Sequence, residues 1–179
     1  MMLELDQLKA LLAEHGIEPW YPHSGRFDFT PGPSVHRRCW LVDEDPSIHP
    51  DLRGGCRYAA DLSEAAECVA TYLSTLVGQR WYLVPHVHWE HELLDHCPDV
   101  WREVFTLADQ PVDDPMLTSA NAVVINPTGV AWERLIVTLL TGLTQADALL
   151  LTDAPLIVKI HHHRQVWLST TDPALLGAW

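Results

Sequence analysis

Short apolar runs, separated by helix-period segments and by Pro- or Gly-rich turns, constrain this chain more than any other feature. CWLV (39–42), WYLVPHV (81–87), AVVI (122–125), LIVKI (156–160) and VWLS (166–169) have strand length and are rich in β-branched and aromatic residues. Cys56–Ala60 reads as one more short strand. Between them, apolar residues recur at helical spacing: Leu5, Leu8 and Leu12 before Gly16; Leu62 to Leu76 before Gly78; Val100, Trp101, Val104 and Leu107 after Pro98; Trp132 to Leu143. Asp61 with Glu64 forms a capping-box-like start to the second of these helices. Leu156–Ile160 and Val166–Ser169 form a hairpin turning through HHHRQ, and Asp172–Pro173 opens a last helical turn. The order predicts an α+β fold, a single domain over 1–179, with a mixed sheet of about five to six strands and helices packed on it.

Three stretches are less determined. Residues 17–38 are crowded with Pro, Gly and aromatics and read as a packed loop, with Phe27 and Phe29 alternating as a short strand would. Ala148–Thr152 fits a strand, or a short helix capped by Thr144 and Asp147. Pro85 removes a ladder donor, which puts the end of its strand at a sheet edge or bulge.

Eleven basic against twenty-four acidic residues give a formal net charge of −13. Residues 1–120 hold eight of the basic and twenty of the acidic residues, so nearly all of the excess lies there. Such a balance disfavours nucleic acid and anionic membranes as partners and suits a basic protein. No apolar run approaches the roughly 18 residues of a membrane span, and the first residues, MMLELDQLKALL, lack a basic segment ahead of an apolar run. A cytoplasmic protein is therefore expected, with Cys39, Cys56, Cys68 and Cys97 mostly buried and reduced. Cys39 and Cys56 fall on neighbouring strands in this reading, which leaves a disulfide between them open. The eight tryptophans are a surplus for this length and point to a contact surface as well as a core.

Chemistry concentrates at two histidine-rich places. His86 and His88 share one face of a strand, since residues i and i+2 do, and can present two imidazoles to one ion. His91, Glu90 or Glu92 from the next turn supplies a third ligand, and one or two rings of His161–His163, His162 among them, join if the two strands are neighbours. Three such donors with an open position make a zinc or iron site, with Glu90 or Glu92 as the base for a bound water. HVHWEHE resembles the first cupin motif through His86, His88 and Glu92, though Trp132 stands where the second motif has its histidine. HELLDH resembles the zincin HExxH, but Asp95 holds the second histidine's place and His96 comes one residue late, about 100° further round a helix. Neither a Gly-x-Ser-x-Gly elbow nor a phosphate-binding glycine loop is present.

Two expectations follow for function. The first is a small acidic binding or regulatory protein, of adaptor or immunity type, acting on a basic partner through a negative, Trp-containing surface. The alternative is a metal-dependent hydrolase built on the histidines.

Overall fold

The computed structural model describes residues 2–3, 5–15, 17–20, 28–31, 36–42, 56–76, 78–85, 97–108, 122–128, 130–143 and 147–177. Among these residues ten strands and four helices follow in the order β1 (Met2–Leu3), α1 (Leu5–Glu14), β2 (Ile17–Trp20), β3 (Asp28–Pro31), β4 (His36–Val42), β5 (Cys56–Ala59), α2 (Leu62–Thr75), β6 (Trp81–Pro85), α3 (Pro98–Leu107), β7 (Ala122–Ile125), α4 (Val130–Gly142), β8 (Ala148–Thr152), β9 (Leu156–His161) and β10 (Gln165–Thr170), with a closing 3-10 turn at Pro173–Leu176. Eight strands form one mixed sheet in the order β1-β7-β6-β8-β9-β10-β4-β5, antiparallel except for the β4–β5 pair. The α+β class expected from the sequence is the class observed.

The sheet is larger than the five to six strands expected. Ala148–Thr152 is the decisive addition: it lies between β6 and β9 with all five side chains buried, and a five-residue run in that position gains a ladder on both sides. The two-residue β1 carries no periodicity to read. Residues 17–20 and 28–31, expected within a loop, pair as a separate antiparallel ladder, Ile17 opposite Pro31 and Trp20 opposite Asp28. The Pro85 expectation also changes. Strand β6 is interior, and Pro85 ends it opposite Ala148 of β8, past Leu83, where the ladder with β7 stops.

Period-two alternation splits the sheet's side chains between two cores. Trp81, Leu83, Val123, Ile125, Leu150, Val158 and Val166 face α2, α3 and α4, where Ala66, Val69, Trp101, Val104, Leu135 and Leu139 are buried against them. On the other face Tyr82, Val84, Val124, Leu149, Leu151 and Ile157 receive Leu8 and Leu12 of α1. His15 ties that helix down. Its Nδ1 lies 2.7 Å from the Leu11 carbonyl and its Nε2 2.8 Å from the Thr152 carbonyl, so a buried ring joins the helix's C-terminal end to β8.

The α2 cap forms as its sequence predicts, with Glu64 N–H donating to Asp61 Oδ1 at 2.9 Å and Ala60 N–H to Glu64 Oε2 at 2.8 Å. Where α3 crosses α4, a Cβ at Gly142 would overlap the Val100 side chain, and Cys97 Sγ lies 3.6 Å from the Gly142 carbonyl. Only glycine permits that approach. Four of the eight tryptophans, Trp40, Trp81, Trp101 and Trp132, are core residues, and Trp81 meets Trp132 edge-on at 5.0 Å. Much of the tryptophan surplus is therefore packing rather than display.

The thiol expectation needs correcting at one position. Cys39 is disulfide-bonded, and its backbone stands in register with Cys56 on the adjoining parallel strand. Cys68 and Cys97 are free. No helix among the described residues is long and apolar enough to cross a membrane.

Candidate metal centre at the β9–β10 turn

Strands β9 and β10 pair from Leu156–Thr170 to His161–Gln165, leaving His162, His163 and Arg164 as a three-residue connection. Hairpins of that loop length carry a left-handed residue in third place, usually glycine. Here it is Arg164, at φ 59°. A side chain in that region costs on the order of 1 kcal/mol, so the turn is held by something besides its own backbone preference.

The holding group is Asp147, which leads into β8. The register Ala148–Ile160 and Leu149–Lys159 brings this carboxylate beside the end of β9. Its side chain is 4% exposed, and both oxygens are engaged. Lys159 Nζ lies 2.8 Å from Oδ2, while the His162 backbone N–H donates to Oδ1 at 3.1 Å and the His162 ring Nδ1 lies 2.9 Å from the same atom. His161 Nε2 is farther, at 3.8 Å from Oδ1. A buried carboxylate is tolerable only with such compensation, and three close donors supply it.

Above this carboxylate the three imidazoles converge. His161 and His162 stack at 4.3 Å between centroids with a 22° interplanar angle, and His163 stands edge-on to both, at 4.9 and 4.3 Å. One ring nitrogen from each can be chosen so that all three lie within 4.8 Å of one another. Zinc–nitrogen bonds of about 2.1 Å would set tetrahedral donors about 3.4 Å apart, against separations of up to 4.8 Å here. Burial, with the neighbouring His162, Lys159 and His163 against the opposing pull of Asp147, lowers the His161 pKa to about 4. Neutral imidazole is the form that ligates metals.

Of the expected site residues, His162 is placed at this centre. His86, His88, Glu90, His91 and Glu92 lie outside the described residues. The strand that leads to them is well placed: β6 and β9 flank β8 and run in the same direction, so Pro85 and Ile160 both stand beside Ala148, about two interstrand spacings of 4.8 Å apart. Asp147 and Lys159 were missed as site residues by sequence reasoning, which weighed Asp147 only as a residue preceding a strand or capping a short helix. Their signal was available. Each is the single charge at an otherwise apolar strand, DALLLT and LIVKI, and opposite charges on neighbouring buried strands are most stable when paired.

Two clefts lie elsewhere. One, of about 320 Å³, opens between the end of α2 and the β7–α4 turn, where Gln79, Asn126 and Thr128 surround the buried Trp81–Trp132 pair. Another, of about 370 Å³, lies along α2, where Arg57 stands 5.6 Å over the Trp40 ring near Cys68 and Tyr72. Comparison with known proteins gives no match to any family model, to any curated protein or to any solved structure.

Proposed function

We propose that this chain binds a divalent transition-metal ion, zinc or iron, at the β9–β10 turn, and does so as a small binding or regulatory protein. The observation that carries the reading is the convergence of three imidazoles over one buried carboxylate. Imidazole donors suit zinc, iron, copper and nickel, and a carboxylate hydrogen-bonded to a ligating ring is a recurrent companion of such sites. The cytoplasmic setting belongs to the same proposal. The Cys39 disulfide weighs against it, because such bonds persist mainly in oxidising compartments.

The test is a calorimetric zinc titration of untagged full-length protein. The expected outcome is one equivalent bound, with affinity falling at least about tenfold in His162→Ala/His163→Ala, the loss expected when ligands or their close supports are removed. Equal zinc uptake by wild type and double variant would count against this centre.

The formal charge of −13 supports a second reading, association with a basic protein partner. Electrostatic steering would speed that encounter, so the association rate with a cationic candidate should fall steeply between low and physiological salt while the dissociation rate changes little. A salt-insensitive association rate would remove the argument.

A further inference from the structure

The three rings at the turn are not equivalent. His161 Nδ1 accepts the backbone N–H of His163 at 3.1 Å, which occupies that nitrogen's lone pair and leaves a neutral ring with its proton on Nε2. His162 is arranged the other way round. Its Nδ1 lies 2.9 Å from Asp147 Oδ1, and a carboxylate oxygen only accepts, so Nδ1 carries the hydrogen, and in the neutral ring Nε2 is the nitrogen with the lone pair. The assignment follows from the acceptor rather than from a located hydrogen. Asp147 is in turn fixed through its other oxygen by Lys159 at 2.8 Å and through Oδ1 by the His162 backbone N–H at 3.1 Å. The His162 ring is therefore held from below by a carboxylate that cannot easily turn, and from the side by the stacked ring of His161.

From this asymmetry we infer that Asp147 is the positioning residue of the metal centre: it fixes His162 in the Nδ1–H tautomer and so presents Nε2 as the ligand atom. His163 supplies the second imidazole, and His161 stays outside the coordination sphere as a hydrogen-bonded brace of the turn. This inference rests on the metal-binding reading above. Two imidazoles leave two positions of a tetrahedral ion for water or for a donor from another molecule, which makes the centre open and exchangeable rather than a closed structural site.

Long-range proton–nitrogen NMR correlations of the zinc-free full chain, paired with zinc titrations, test it. The expected spectra show His162 protonated on Nδ1 and His161 on Nε2, with zinc shifting His162 Nε2. Asp147→Asn is expected to release the His162 tautomer and weaken zinc binding by about 10- to 100-fold. His161→Gln removes a brace but no ligand atom, so it should weaken binding clearly less than His162→Gln, which loses at least about tenfold. Should Asp147→Asn fail to fold, the wild-type tautomers and these two histidine variants still decide. A zinc-binding wild type whose free His162 is protonated on Nε2, or a His161→Gln loss equal to that of His162→Gln, overturns the positioning role and leaves the zinc reading standing. The expected tautomers in a chain that takes up no zinc overturn the reading itself.

Discussion

Replacing Asp147 by alanine is expected to destabilise the protein by about 3 kcal/mol, more than any exposed charge in the molecule would cost. The carboxylate is nearly sealed from water and faces three donors: the Lys159 ammonium, the His162 ring and the His162 backbone N–H. Removing it takes a 2.8 Å ion pair from Lys159, whose side chain is only 23% exposed, and takes the Oδ1 acceptor from two N–H groups of His162. The change also releases a turn whose third residue, Arg164, sits in the left-handed region. In a chain of this length a loss of that size lowers Tm by about 6–12 °C, measurable by calorimetry or denaturant titration. The control is the exposed pair Arg102–Asp99, at 3.5 Å on α3, where Asp99→Ala should change stability by less than about 0.5 kcal/mol. If Asp147→Ala proved as mild as Asp99→Ala, the carboxylate would have to be solvated and the account of the turn would fail.

The contrast between these two aspartates bears on what the sequence could reveal. The fold class, the four helices and the β9–β10 hairpin were legible because each has a local signal: Leu5, Leu8 and Leu12 on one side of α1, Asp61 and Glu64 at the start of α2, and two short apolar runs, LIVKI and VWLS, either side of a polar turn. Strand β8 was not, because five consecutive buried residues have no period, and only its neighbours β6 and β9 decide its state. The histidine triplet stood out by composition. Asp147 did not, since its significance comes from Lys159 and His162, twelve and fifteen positions away, through a register that no local pattern contains. A contact made through strand register is hidden in this way. Donors can be counted in a sequence, but the group that orients them is identified by pairing.

The second large effect concerns acid. The His161 ring resists protonation down to about pH 4, chiefly because it is partly buried, whereas an unfolded chain protonates it near 6.5. Between those values the unfolded state binds more protons, so stability rises with pH across the window. The contribution is complete above about pH 6.5, shrinks as pH falls toward 4, and changes no further below that. A difference of this size corresponds to at most about 3 kcal/mol, and water screening at a turn open to solvent reduces that to roughly 2 kcal/mol. Because the other titrating groups are common to both proteins, subtracting the stability curve of His161→Gln from that of wild type isolates this ring. The expected difference curve favours wild type most at pH 7 and declines by up to about 2 kcal/mol as pH is lowered through the window. Parallel curves would mean that the ring titrates alike in the folded and unfolded states. The burial that sets the three imidazoles close together over Asp147 would then be looser than the geometry of the turn requires.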